Sequence, residues 1–127
     1  MRKLKFLWID DSEEWAKSTQ DNLRIICNAN NINLFILPAL NGEDIINQCM
    51  AFNFDAIIMD YNMDPFFGDK YILDVRNEEH LDNIPILFYS QNNSVDLVSL
   101  IGDAKRVECI FRPNLEDKIR EIFNIGN

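Results

Sequence analysis

Five polar residues stand where apolar runs stop. Asp10 and Asp11 follow KFLWI, Asp60 follows AIIM, Ser90 follows ILFY, and Arg112 follows CIF and precedes Pro113. If the chain brings them together, three carboxylates, a hydroxyl and a cation would share one edge, and carboxylates so placed can bind a metal cation. Taken singly, each has a plain explanation. Asp10 or Asp11 suits a helix N-cap, Asp60 the start of a turn, Ser90 the polarity of a loop and Arg112 a solvated charge. Crowded together, the three carboxylates would repel, and one would stay protonated unless a cation were bound. With oxygen donors and no His or Cys beside them, that cation would be hard: Mg2+ or Mn2+.

Whether the five converge depends on the elements that carry them. Residues 4–9, 55–59, 84–89 and 107–111 read as buried strands, and 34–37 as a shorter fifth. Several are nearly continuous apolar runs, the pattern of a parallel sheet covered on both faces. Helical spacing lies between them. Trp15, Thr19, Leu23, Ile26 and Cys27 make one stripe, with Asp11 and Glu14 spaced as a capping box. Ile45, Ile46, Cys49 and Met50 make a second, after the Asn41-Gly42 turn. Residues 69–79 form a third, with Tyr71, Ile72 and Val75 inward, and 95–101 a fourth. Leu115, Ile119, Ile122 and Phe123 form the last, after Pro113. Strand then helix, five times, predicts an α/β fold: a doubly wound five-stranded parallel sheet of the flavodoxin-like (βα)5 kind. Without a linker or repeat, residues 1–127 read as one domain. Ligands of such sheets sit beyond the carboxyl ends of the strands, and there all five polar residues fall.

Composition narrows the function. A chain of 127 residues, 47% hydrophobic and 26% charged, has the size and core of an ordinary domain. No apolar run approaches the roughly 20 residues that span a bilayer. The basic start (Arg2, Lys3, Lys5) meets Asp10-Asp11 too soon for a signal peptide, so a cytoplasmic protein is expected. Cys27, Cys49 and Cys109 are odd in number and form no CxxC pair, which predicts reduced thiols rather than disulfides or zinc. A net charge of −9 disfavours sequence-independent nucleic-acid binding but suits metal capture and admits a basic partner protein. His80, the only histidine, reads as a surface loop residue, and Trp8 and Trp15 as core.

The combination of IDD at 9–11, AIIMDYNM at 56–63, Gly68, Ser90 after ILFY and Arg112-Pro113 after CIF resembles the CheY-like receiver domain of two-component response regulators. The likeness runs from residue 4 to about residue 123. It implies that Asp60 is the phosphoacceptor, taking a phosphoryl group from a sensor histidine kinase, a histidine phosphotransfer protein or a small phosphodonor. It implies Mg2+ (or Mn2+) held directly by Asp11, through water by Asp10, and by Asp60 and the backbone carbonyl of Asn62. Ser90 would bond a phosphoryl oxygen and move with it, shifting populations of the following loops toward an unknown downstream protein. Such a domain is a signalling switch and not an enzyme of turnover, and touches neither nucleic acid nor membrane directly. Dimerisation is left open. The family's habit also predicts a cis Arg112–Pro113 bond.

Four positions depart from the pattern. Arg112 replaces a lysine, and its planar fork could clamp a phosphate or pair permanently with Asp60 or Asp11. Cys109 stands where many receivers carry a Tyr or Phe that swings with the switch serine. Tyr89 cannot replace that aromatic, because it points to the opposite face from Ser90. Gln91 replaces a small residue and narrows access. Asp64-Pro65 shifts a proline, beside a Phe66-Phe67 pair that is either half-buried or a contact surface. Two alternatives follow. One is a receiver-like interaction module that does not rely on phosphorylation. The other is an aspartyl-phosphate hydrolase of the haloacid dehalogenase type, against which stands the missing DxD spacing at Asp10-Asp11-Ser12.

Overall fold

A computed structural model describes residues 1–126. The strands are β1 (Arg2–Ile9), β2 (Ile32–Ala39), β3 (Ala56–Asp60), β4 (Ile86–Ser90) and β5 (Val107–Phe111). The helices are α1 (Glu13–Ala29), α2 (Ile45–Ala51), α3 (Gly68–Arg76), α4 (Leu97–Ile101) and α5 (Leu115–Phe123). Short 3-10 turns occupy Glu79–Leu81, where His80 is exposed, and Arg112–Asn114. All strand pairs are parallel, in the order β2-β1-β3-β4-β5, so the expected doubly wound sheet is found. The order reverses between β1 and β3, and the crevice beyond their carboxyl ends is where such sheets hold ligands.

Two apolar layers fix the sheet. Trp8, Leu23, Ile58, Tyr89 and Ile119 pack between the sheet and α1 and α5. Leu7, Ile57, Met59, Ile72 and Phe88 pack against α2, α3 and α4. All five residues of β3 and all five of β4 are buried. Covering on both faces is why both strands read as apolar runs, and it makes their terminal Asp60 and Ser90 conspicuous. No helix among the described residues is long and apolar enough to cross a membrane. The three cysteines are free.

The structure corrects several local expectations. β2 has eight residues, not four. It is an edge strand, so Pro38 and the exposed Phe35 are tolerated, and continuous apolarity is not required. The capping box is absent: Ser12 is the N-cap of α1, with no side-chain cap bond. Its own N–H donates to Asp10 Oδ1 at 2.7 Å, and with Ser12 at the N-cap the residue three further on is Trp15 and not Glu14. α3 ends three residues early, at Arg76, whose guanidinium donates to the carbonyls of Leu81, Ile84, Lys105 and Arg106. The cis bond is Asp64–Pro65 and not Arg112–Pro113, whose proline lies in a 3-10 turn that suits its fixed φ.

Candidate functional site

β1 and β3 run side by side with Ile9 opposite Met59, which sets Asp10, one residue past β1, level with Asp60. Both are buried, at 3% and 7% exposure, while Asp11 is exposed. One carboxylate oxygen from each of Asp10, Asp11 and Asp60 lies within 4.8 Å of the others. The backbone holds this cluster from both sides. Asp10 N–H donates to Ala39 O at 3.0 Å, Tyr61 N–H to Tyr89 O at 2.9 Å, and Gly68 N–H to Tyr61 O at 2.8 Å. The exposed Asn62 turns its N–H toward Asp60 Oδ1 at 3.4 Å.

Burial, and then the charge of Asp10, pushes the Asp60 carboxyl up to about 7, against the smaller pull of the Asn62 N–H. Burial likewise raises Asp10, opposed by the Tyr89 hydroxyl and the Ser12 N–H. Two buried carboxyls strained toward protonation, beside a third on the surface, suit a hard divalent cation: oxygen donors, convergent, and short of positive charge. The donor set therefore fits Mg2+ or Mn2+, with Asp10, Asp11 and Asp60 as the residues able to hold it.

Tyr89 is the neighbour that sequence reasoning missed. Its hydroxyl donates to Asp10 Oδ2 and accepts from Trp8 Nε1 at 3.2 Å. Its ring packs 5.6 Å from that of Trp15. Tyr89 does lie on the opposite face of β4 from Ser90, in the layer under α1 and α5, as strand alternation requires. The signal for its role was an aromatic hydroxyl in an otherwise apolar strand, since a buried phenol needs a partner.

The remaining candidates border the cluster. Ser90 is buried at the end of β4, where its Oγ accepts from Asn92 N–H at 3.0 Å and donates to Asn92 O at 3.2 Å. Half-buried Cys109, with Ser90, Val95, Leu97 and Phe111, borders a cleft of about 190 Å³, space that a larger residue at 109 could use. Gln91 is exposed just past β4. Arg112 does not pair with Asp60 or Asp11. Its guanidinium carbon lies 4.4 Å from the centre of the Trp15 ring, so the permanent ion pair gives way to a cation–π stack. Phe66 and Phe67 are each about half exposed, at 49% and 51%. Phe67 is stacked on Tyr61 at 4.9 Å, and Lys70 lies over Phe66.

Gly68 opens α3 against the back of the site. A Cβ there would overlap the Asp60 carbonyl oxygen and stand 2.9 Å from Phe88 Cε1 and 3.0 Å from Met59 Cγ. Neither backbone nor packed core can yield cheaply. Gly68→Ala is expected to cost about 2 kcal/mol or more of stability, measurable by urea unfolding. A loss below about 0.5 kcal/mol, the range of ordinary surface changes, would mean that β3 and α3 can part without penalty.

No protein-family model matches the sequence. Solved structures do, and they give the fold its class: this is the receiver fold of response regulators, the CheY-like (βα)5 sheet. The chain is similar to the chemotaxis response regulator CheY4 of Vibrio cholerae, with 19% identity and a TM-score of 0.76 over 96% of this chain and 97% of that one. It is similar to the response regulator TrrA of Thermotoga maritima, solved with Mg2+ and BeF, with 20% identity and a TM-score of 0.69 over 94% and 98%. It is also similar to the phosphorylated cyanobacterial phytochrome response regulator RcpA, with 16% identity and a TM-score of 0.75 over 94% and 91%. At such identities the likeness carries the fold, and the site residues rest on their own geometry.

Proposed function

We propose that residues 1–127 act as one phosphorelay receiver domain, switched by Mg2+-dependent phosphorylation of Asp60. The observation that carries this is the cluster of Asp10, Asp11 and Asp60 oxygens within 4.8 Å, at the one point where the strand order reverses. An Asp60 oxygen attacks the phosphorus of a phosphohistidine or acyl phosphate. The new O–P bond forms as the bond to imidazole nitrogen or acetate oxygen breaks, and the leaving group takes the electron pair. Bound Mg2+ supplies the positive charge that lets a phosphoryl group approach three carboxylates. Asp11, Asp60 and the Asn62 carbonyl would hold the ion directly, and Asp10 would act mainly through water. Ser90 leaves Asn92 to bond a phosphoryl oxygen, Arg112 leaves Trp15 to clamp another, and the loops that follow them shift.

The partners of this reading are a sensor histidine kinase or a histidine phosphotransfer protein upstream, and a protein of undetermined identity downstream. The domain is a switch and not a turnover enzyme. Its test is incubation with acetyl phosphate and Mg2+. Uptake of one base-labile phosphoryl group per chain, prevented by EDTA, is expected. No uptake at saturating metal would end the proposal.

A second reading is favoured by Cys109 and the stack of Arg112 on Trp15. There, the same fold is an interaction module that works without phosphate, with Gln91 restricting access. Partner binding that is indifferent to Asp60→Asn would support it, and binding that changes with phosphorylation would remove it.

A further inference from the structure

The Asp10 carboxylate is held at both of its oxygens. Ser12 N–H donates to Oδ1 at 2.7 Å, and the Tyr89 hydroxyl donates to Oδ2. Neither donor is free to turn away. The first belongs to the backbone entering α1, and the second to a ring with no solvent exposure. The phenol hydrogen is also assigned. Trp8 Nε1 has only a hydrogen to give, and gives it to the Tyr89 oxygen at 3.2 Å, which leaves the phenol O–H for Asp10. Asp11, in contrast, is exposed.

Cation size makes this restraint matter. Ca2+ takes six to eight oxygens in loose geometry and commonly gains them from a carboxylate that presents both oxygens at once. Mg2+ takes six in a strict octahedron and keeps several waters. A carboxylate clamped by one donor on each oxygen cannot rotate to chelate, but its remaining lone pairs can still receive a metal-bound water or one direct bond.

We propose that Tyr89 is a positioning residue for the acidic site: by holding Asp10 from chelating, it selects Mg2+ or Mn2+ over Ca2+. The inference rests on the reading of Asp10, Asp11 and Asp60 as a divalent-cation site, and it adds to that reading a residue from the far face of β4. Trp8 is the brace behind it, because its indole N–H orients the hydroxyl. The phenol touches no phosphoryl group and acts only through Asp10.

Calorimetric titration with MgCl2, MnCl2 and CaCl2, on wild type, Tyr89→Phe, Asp10→Asn and the double variant, separates the possibilities. Wild type is expected to prefer Mg2+ and Mn2+ to Ca2+. Tyr89→Phe keeps the ring and loses only the hydroxyl. It is expected to weaken Mg2+ binding about tenfold, the usual effect of freeing a ligand from the group that orients it, and to weaken Ca2+ binding less or strengthen it. In the Asp10→Asn background the same change should do little. Trp8→Phe should move the preference in the same direction, and it supplies the test if Tyr89→Phe does not fold. An unchanged Mg2+/Ca2+ preference in Tyr89→Phe overturns the proposal, as does an equal effect with and without Asp10. Wild type that binds none of the three ions overturns the cation-site reading itself.

Discussion

Asp60→Asn is expected to abolish phosphoryl uptake and, at the same time, to make the metal-free protein more stable at pH 8. The two effects share a cause. The Asp60 carboxyl is pushed up to about 7 by burial and by Asp10, from an ordinary value of 3.8. Between those values the folded chain holds a proton that the unfolded chain has released, so stability falls as pH rises through this window. Below about pH 4 both states are protonated and nothing is lost. Above about pH 7 the full cost of a buried charge is present, about 2–4 kcal/mol for a shift of this size next to a titrating neighbour. Asparagine has the shape of the neutral acid and never ionises. The variant should therefore match wild type near pH 4 and exceed it by about 2 kcal/mol or more at pH 8, as read by urea unfolding across the range. Mg2+ should narrow the gap, since a ligand that binds only the folded state stabilises it and wild type holds the metal better. A variant no more stable than wild type at pH 8, or a gap that persists at pH 4, would mean that Asp60 does not carry this strain.

The same electrostatics explains why so much of the site was legible beforehand. β3 and β4 are covered on both faces, so their sequences must be apolar until the sheet ends, and the first polar residue marks the edge. Asp60 and Ser90 announce themselves in this way, as do Asp10 after β1 and Arg112 after β5. Once the strand order is known, their convergence is geometry. What stayed hidden crosses between elements. Tyr89 reaches Asp10 from β4 past the intervening β3, a contact that no spacing along the chain encodes. The capping box failed because α1 starts one residue later than the Asp11–Glu14 spacing requires, with Ser12 at the N-cap and Trp15 three residues on. Arg112 was read correctly as a cation at the sheet edge, but its resting partner could not be: Trp15 is a helix residue at the rim of the core, and only the packing of α1 places its ring under the guanidinium.

That partner sets the second large effect. Arg112→Ala is expected to slow phosphorylation by acetyl phosphate about 100-fold, the usual cost of removing a donor aimed at charge developing in a transferring group. Arg112 is the cation beside Asp60 and Asp10, and its field already lowers both carboxyls slightly. To serve the phosphoryl group it must leave Trp15, and a cation–π stack between two half-buried side chains holds about 1 kcal/mol. Trp15→Leu, which takes away the aromatic face, should then raise the rate by about two- to fivefold, the opposite sign from Arg112→Ala at a site on the same stack. Arg112→Lys keeps the charge but loses the planar fork, so its rate should lie between wild type and Arg112→Ala. Tryptophan emission reports the departure directly. In a Trp8→Phe background, at Mg2+ high enough to offset the weaker binding expected of that variant, adding beryllofluoride should change the emission of Trp15, and Arg112→Ala should remove most of that change. An Arg112→Ala protein that labels at the wild-type rate, with Trp15 emission still responding to beryllofluoride, would sink the clamp. Arg112 would then be a structural cation of the α1 face, and the reading in which this fold works without phosphate would gain.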